Sequence, residues 1–342
     1  MSKYTYFPRN AELSEYQDKL DKTFWTAEEI TYGIDRVEMS DLEKIVSNGK
    51  ADTVGSGNVI FTSTQAANII IFVKNILCLF AQLDGVVIEN LLEHFTSEIS
   101  MGEKEIKDFY ISQAHNELMH SKSYATQVEV LINDEMEKRE IYTASLKYPA
   151  VNRITQWCFE WFDTKLPIVE RLIAFCCIEG IVFTSGFVAI YRLKEWGLFT
   201  KGLCNANEFI SKDEAVHTAA GIAFFHHKIA NGQFTRPSQE RIYEIIQAAV
   251  DLAFQFTDEA VLPELIGLDS KDMKEYIMLT ADMILADLKY EKKYNAKCPF
   301  EWMQKIGYFN LTNMFEQKVT EYQRPNMETF SDDIDIDDGE LV

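Results

Sequence analysis

Apolar residues recur every three or four positions over most of this chain, which is the spacing that places them on one face of an α-helix. No segment shows the apolar–polar alternation of a half-buried strand, and residues 51–61, which contain Gly55 and Gly57, are expected to form a loop. The pattern therefore predicts an all-α protein. The predicted helices cover about residues 63–95, 103–132, 172–191, 206–231, 237–260 and 270–293, with core aromatic residues in 150–164.

The segment Leu172–Tyr191 is almost entirely apolar and about long enough to cross a lipid bilayer. Its one charged residue, Glu179, lies near the centre, where a carboxylate in lipid would be costly. No other segment is expected to be comparably free of charge. A fully buried helix of a helical bundle is the better interpretation, and Glu179 then needs a partner such as a proton, a cation or a metal.

The two ends of the chain differ from its middle. Residues 1–25 are polar and aromatic, and we expect an N-terminal arm in extended conformation. Thr26 and Glu29 have the spacing of a capping box, which begins a helical domain over 26–320. The last residues, 331–342, are too acidic to pack, so a flexible tail over 321–342 is expected.

Two segments carry Glu-x-x-His, and each places a carboxylate and an imidazole one helical turn apart: Glu117 with His120, and Glu214 with His217. Tyr124 lies on the same face as the first pair. With six histidines in 342 residues, about one such motif is expected by chance at ordinary composition. Such a pair can also be a solvated surface contact. Two motifs are suggestive only, and the other helices have to complete the case.

Asp84 interrupts the apolar helix before Gly85, where it could mark a kink or a cap. Together, four helices offer four carboxylates and two imidazoles, the ligand pattern of ferritin-like di-iron and di-manganese bundles. A zinc site would use fewer carboxylates. The candidate ligands are Asp84, Glu117, His120, Glu179, Glu214 and His217. His94 and His115 have no matching acid at ligand spacing, and His226 and His227 lie two to three turns beyond His217. All four are expected to be structural or surface residues.

Tyr124 is one turn beyond His120, close enough to lose an electron to an oxidised metal pair. Three apolar residues lie on the helix faces that carry Glu179 and Glu214, and they would keep water away from the phenol. They are Phe183, Phe187 and Ile210.

The net charge of −21 argues against a nucleic-acid surface and against binding to anionic membrane. The six cysteines show no C-x-x-C spacing and lie mostly in apolar runs, which indicates buried thiols in a reducing compartment. The N-terminus has no apolar stretch typical of a signal peptide. We expect a cytoplasmic protein.

These motifs, taken together, resemble the small, radical-generating subunit of class I ribonucleotide reductase. The resemblance runs from Phe24-Trp25-Thr26-Ala27-Glu28-Glu29 to Glu321-Tyr322-Gln323-Arg324 and includes all six candidate ligands. Gln113, one turn before Glu117, favours similarity to the eukaryotic and viral branch of the family, because some bacterial members have Trp at this position. The chain ends Leu341-Val342, whereas family tails often carry an aromatic residue near the end, so the anchor residues of the tail stay open.

The resemblance implies two iron ions, with manganese as the alternative metal, and a stable radical on Tyr124 formed with dioxygen. It implies a relay of Trp25, Asp213 and His120 toward the surface, and a transfer of the radical through Tyr322 to a large subunit that binds the acidic tail. It also implies a homodimer of this chain.

Two rival functions share the bundle. A di-iron oxygenase or oxidase could use the same six ligands, but would have no need of Tyr124, of Trp25 with Asp213, or of a tail bearing Tyr322. An iron-storage or purely structural bundle would need neither an inward tyrosine nor a docking tail.

Overall fold

The computed structural model describes residues 9–99, 103–143 and 148–305, and within these nearly all regular structure is helical. The α-helices are α1 (Ala11–Thr23), α2 (Gly33–Asn48), α3 (Ser63–Glu89), α4 (Thr96–Glu98), α5 (Lys104–Leu131), α6 (Glu135–Tyr142), α7 (Pro149–Glu160), α8 (Ile168–Cys177), α9 (Thr184–Glu195), α10 (Leu203–Ala230), α11 (Gln239–Phe256), α12 (Ser270–Asp287) and α13 (Glu301–Lys305). The all-α prediction is confirmed.

Four helical segments form the centre of the bundle: α3, α5, the α8–α9 segment and α10. Helix α3 packs along α5, α8 packs along α10, and α5 contacts α10. Helices α1 and α2 cover one side, while α11 and α12 pack against each other and against the α8–α9 segment. The buried apolar residues of all these helices join in one core, as expected of a ferritin-like bundle.

A π-helical turn, Ile178–Val182, joins α8 to α9 and contains Glu179. The sequence predicts one uninterrupted helix here. A π turn adds a residue to a helix and is frequent at functional sites. It shifts the register of the side chains on either side of Glu179. Further π turns, Asn90–Phe95 and Thr257–Val261, follow α3 and α11.

Within the described residues, two helical segments are long and apolar enough to cross a bilayer, Ser63–Glu98 and Ile168–Glu195. The expectation that no other segment would be comparably free of charge is therefore wrong, since residues 66–83 carry only one charged residue, Lys74. In the second, 89% of the most apolar window is buried inside the protein, compared with 61% in the first. The apolar residues of both segments pack in the core, and the predicted burial of the helix around Glu179 is confirmed.

The expected extended conformation of the N-terminal arm is wrong for Ala11–Thr23, which form α1. The side chain of Asn10 accepts a hydrogen bond from the Leu13 N–H at 3.2 Å and caps the helix. Leu13 and Leu20, seven residues apart, are buried where α1 contacts α5 and α10. Residues 1–8 of the predicted arm lie outside the described residues.

The predicted loop at 51–61 contains a short antiparallel pair, β1 (Asp52–Thr53) with β2 (Ile60–Phe61), in which Asp52 pairs with Phe61. Two-residue strands leave too little alternation for a sequence pattern to reveal. The capping box at Thr26 and Glu29 is present, but it opens a 3-10 turn, Ala27–Glu29. The first long helix after it, α2, begins only at Gly33.

Candidate metal centre

All six predicted ligands lie at one place in the middle of the bundle, and each is at most 2% exposed. Helix α3 provides Asp84, α5 provides Glu117 and His120, the π turn provides Glu179, and α10 provides Glu214 and His217. Their potential donor atoms fall into two sets within which all atoms lie within 4.8 Å of one another. The sets are Asp84, Glu117 and His120, and Glu117, Glu179, Glu214 and His217. Glu117 belongs to both sets, as a carboxylate that bridges two ions would.

The two imidazoles face the same pair of carboxylates. His120 Nδ1 lies 3.1 Å from Glu117 Oε2 and 3.2 Å from Glu214 Oε1. His217 Nδ1 lies 3.1 Å from Glu117 Oε1 and 3.2 Å from Glu214 Oε2. Each of the two glutamates therefore lies between both histidines, with one oxygen toward each.

Several ligand oxygens have no hydrogen-bond partner among the described residues. Both oxygens of Asp84 and the Oε2 oxygen of Glu179 are buried without one. An unpaired buried carboxylate is costly, so these atoms call for a cation. Carboxylate oxygens with two imidazole nitrogens suit iron or manganese, so the residues present fit a di-metal group.

The pKa shifts of five of these groups show how protons balance the charge. Burial raises the pKa of Asp84 and of Glu179 well above the ordinary value. Burial acts in the same direction on Glu117, but hydrogen bonds from His120 and His217 outweigh it and lower its pKa to about 2. Burial disfavours charged imidazoles, yet the carboxylates around them raise the pKa of both His120 and His217. Metal binding would replace these protons.

Tyr124 is completely buried two helical turns from Glu117. Its hydroxyl donates to Asn207 Oδ1 at 2.9 Å. Burial, followed by the nearby charge of Asp84, raises its pKa well above the ordinary value, so the phenol keeps its proton in the resting protein. Its ring stacks on Phe80, with centroids 4.9 Å apart and planes 3° from parallel.

Two of the predicted apolar residues are connected to Tyr124 through Phe80, whose ring stacks on the phenol. The rings of Phe183 and Phe187 lie 5.5 Å and 5.2 Å from that of Phe80. Ile210 is buried one turn after Asn207 on α10. The ring of the phenol therefore lies on an aromatic cluster, while its hydroxyl meets the amide of Asn207.

Trp25, Asp213 and His120 form a continuous hydrogen-bonded row. Trp25 Nε1 donates to Asp213 Oδ2 at 2.8 Å, and His120 Nε2 lies 3.1 Å from the same oxygen. Trp25 Nε1 and His120 Nε2 both meet the Oδ2 oxygen of Asp213, so we assign a proton to His120 Nε2. Nδ1 is then the nitrogen that would bind metal once its own proton is displaced. The rings of Trp25 and His120 are also nearly parallel, with centroids 5.9 Å apart.

The other predicted residues lie elsewhere. Tyr322 and the acidic tail fall outside the described residues. His115 stacks on Phe24, His94 packs on Phe162, and His226 Nε2 donates to the backbone oxygen of Asp287. His227 contacts Asn10 and Asn231.

Sequence reasoning missed Phe80 and Asn207 at the site, and it took Gln113 only as a marker of the family branch. Gln113 Nε2 donates to Glu179 Oε1 at 2.6 Å. A signal existed in each case, because Phe80 is four residues before Asp84, Gln113 four before Glu117, and Asn207 seven before Glu214. Each therefore lies on the ligand-bearing face of its helix. Neutral side chains gave no chemical reason to select them.

The family model "Ribonucleotide reductase, small chain" matches residues 71–299. One ribonucleoside-diphosphate reductase small subunit from Arabidopsis thaliana is 33% identical over 326 residues, covering 95% of this chain and 86% of that one. The small chain from Trypanosoma brucei brucei is 33% identical over 94% of this chain and 87% of its own length. The small chain from vaccinia virus (strain Ankara) is 32% identical over 93% of this chain and 91% of its own length.

Solved structures with the same fold include the ribonucleotide reductase Rnr4 homodimer from Saccharomyces cerevisiae, with a TM-score of 0.70 at 24% identity. The match covers 92% of this chain and 89% of that one. The dimanganese(II)-NrdF structure from Streptococcus sanguinis has a TM-score of 0.64 at 16% identity and covers 86% and 95% of the two chains. With its ferritin-like bundle and its buried carboxylate–histidine cluster, this chain belongs to the family of ribonucleotide reductase small chains.

Proposed function

We propose that this chain is the radical-generating subunit of a ribonucleoside-diphosphate reductase and that Tyr124 carries the radical. The observation that supports this most directly is the place of its phenol. It is fully buried on the face of α5 that also bears Glu117 and His120, and its ring stacks on that of Phe80. Neither an oxygenase nor a storage bundle needs an oxidisable side chain there.

Asp84, Glu117, His120, Glu179, Glu214 and His217 would hold the metal pair. When bound, two iron ions supply with dioxygen the one-electron oxidant, and manganese is the other metal that suits these donors. The protein contributes a dry site of fixed geometry, in which the four carboxylates offset the charge of the ions.

Oxidation of Tyr124 removes an electron and also a proton, since a phenol that has lost an electron is a strong acid. The carbonyl oxygen of Asn207 accepts the hydrogen bond but is not a base. Asp84 lies near enough for its charge to raise the pKa of Tyr124, and once metal binding has displaced its own proton, its carboxylate would receive the proton of the phenol. The apolar surroundings, including Phe183, Phe187 and Ile210, would keep water and reductants from the radical.

The row of Trp25, Asp213 and His120 would carry the radical between the metal centre and the surface, and Tyr322 would pass it to the large subunit. The hydrogen bonds to the shared oxygen of Asp213 support the first step of this path.

We assign residues 1–25 to an N-terminal arm, 26–320 to the ferritin-like domain and 321–342 to the tail that binds the large subunit. The protein would act as a homodimer in the cytoplasm, without nucleic acid or membrane as a partner.

Reduction of a nucleoside diphosphate by this chain with the large subunit of the same organism tests the proposal. We expect the iron-loaded wild-type protein to support turnover. Tyr322→Phe should form the same amount of tyrosyl radical and give no turnover. Turnover by Tyr322→Phe at the wild-type rate would contradict the assigned path, and no turnover by the radical-containing wild type would contradict the function.

A further inference from the structure

Gln113 is a buried amide beside the candidate metal centre, and it is only 1% exposed. It lies on α5 one turn before Glu117. A primary amide offers two N–H donors and one carbonyl acceptor. Among the described residues the carbonyl of Gln113 has no hydrogen-bond partner, so its N–H donors indicate its role.

The amide of Gln113 connects two of the ligand-bearing elements. Its Nε2 donates to Glu179 Oε1 at 2.6 Å and lies 3.5 Å from Glu117 Oε1. The orientation of the amide follows from these contacts, because the alternative would place its carbonyl oxygen against a carboxylate. Helix α5 is thereby linked to the π turn that carries Glu179.

The surroundings make this contact strong. Glu179 is 1% exposed, and its second oxygen, Oε2, has no hydrogen-bond partner among the described residues. Tyr110, three residues before Gln113, is buried as well, and its pKa is raised by burial, by Cys176 and by Glu179. When a metal ion holds Glu179 as a carboxylate, a hydrogen bond to it in this poorly solvated site is about twice as strong as one between neutral groups.

We propose that Gln113 is a positioning residue that holds one oxygen of Glu179 so that the other is presented to a metal ion. This inference rests on the di-metal role proposed above. A glutamate side chain has three rotatable bonds and needs a partner to hold it in place. Among the described residues, Gln113 is the one uncharged side chain that donates a hydrogen bond to Glu179. Without Gln113, the carboxylate could turn and its occupied oxygen would be unpaired.

Anaerobic titration with ferrous iron tests the proposal. In Gln113→Met we expect one of the two iron sites to bind about 10- to 100-fold more weakly, the usual effect of removing an outer partner of a ligand. The Mössbauer spectrum of the ferrous protein should change in one of its two components. Gln113→His, which retains an N–H donor of similar reach, should restore both binding and spectrum.

Gln127 provides a matched control on the same helix, because it is also fully buried and its Nε2 donates to Ser123 Oγ at 3.2 Å, away from the ligands. Gln127→Met should bind both irons as the wild type does. If Gln113→Met does not fold, Gln113→Leu gives the same comparison. Unchanged affinity and spectrum in a folded Gln113 variant would overturn the inference, as would an equal loss in Gln127→Met. A wild type that bound no iron would overturn the proposed function itself.

Discussion

The Oδ2 oxygen of Asp213 accepts hydrogen bonds from two ring nitrogens, Trp25 Nε1 and His120 Nε2. Substitution of one donor at a time tests what each hydrogen bond contributes. Trp25→Phe removes one donor but keeps an aromatic ring against His120 and Phe209. We expect about 1–2 kcal/mol of lost stability, iron binding as in the wild type, and a tyrosyl radical that still forms. Nucleotide reduction with the large subunit should fall by about 100-fold or more, because the path then lacks its oxidisable indole.

The measurement for Trp25→Phe is the ratio of turnover to radical content, which separates transfer from radical formation. Trp157→Phe is the matched control, since Trp157 packs on Trp161 away from the ligands. Wild-type turnover per radical in Trp25→Phe would contradict the relay.

Asn207 is held in place from both ends. Its Nδ2 donates to Leu203 O at 2.8 Å, which turns its Oδ1 toward the Tyr124 hydroxyl. Asn207→Leu would leave the buried hydroxyl without its acceptor, at a cost of about 1–3 kcal/mol. In a Tyr124→Phe background the same substitution should cost less, by about 1 kcal/mol. Urea unfolding of the four proteins measures this coupling, and additive effects would show that the hydrogen bond contributes nothing to stability.

The six candidate ligands could be selected from the sequence because each is ionisable and lies at helical spacing within an apolar face. The roles of Gln113 and Asn207 could not be predicted from the sequence, because a neutral amide is not costly enough to bury to demand a partner. The role of each amide depends on which carboxylate or hydroxyl a neighbouring helix brings near. Phe80 was indistinguishable from any other core aromatic residue.

Among the helices, α1 shows best what the hydrophobic pattern did not predict. Of its residues only Leu13 and Leu20 are buried and apolar, too few to stand out from the charged residues around them. What fixes its start is a distant side chain, since the carboxylate of Glu105 on α5 accepts hydrogen bonds from the backbone N–H groups of Arg9 and Asn10. The π turn at Glu179 was equally hidden, because an inserted residue leaves no mark in a continuous apolar run.

Glu105 gives a prediction about pH. Burial would raise its pKa, but the N–H groups of Arg9 and Asn10 outweigh burial and lower it. A lowered pKa means that the ionised form stabilises the folded state at neutral pH, and that this contribution is lost as the pH falls below about 4.3, the value of a free glutamate. Glu105→Gln should therefore be about 1 kcal/mol less stable than the wild type at pH 7.

The difference between Glu105→Gln and the wild type should shrink as the pH falls toward 4 and below. Urea unfolding at both pH values measures it. Glu135→Gln is a control, because Glu135 pairs with Lys138 on the surface, where such pairs contribute little. A gap that stayed constant or widened toward acid pH would contradict the assigned role of Glu105.

For the whole molecule, the sequence was sufficient to predict the bundle and its centre, since long helices with one apolar face have few ways to bury it. It did not indicate which apolar residues stay on the surface. Ile111 and Leu118, seven residues apart on α5, are 54% and 43% exposed. A chain with a net charge of −21 repels its copies, so association has to come from such apolar positions.

If the protein is a homodimer through this side of α5, Leu118→Arg should weaken the dimer by at least about 100-fold, because it buries an unpaired charge at the interface. Sedimentation equilibrium would show the mass fall from twice 39.5 kDa toward 39.5 kDa. Met136→Arg, at a residue 73% exposed on α6, should leave the mass unchanged. A stable dimer of Leu118→Arg would place the interface elsewhere.

The most direct test of the account compares electron paramagnetic resonance spectra of the metal-free protein after addition of ferrous iron and dioxygen. Wild type and Tyr110→Phe, which removes the other phenol that is completely buried on this face of α5, should both give a tyrosyl signal. Tyr124→Phe should bind iron, consume dioxygen and give no such stable signal. A persistent tyrosyl signal in Tyr124→Phe, or none in an iron-loaded wild type, would contradict the assignment of the radical to Tyr124.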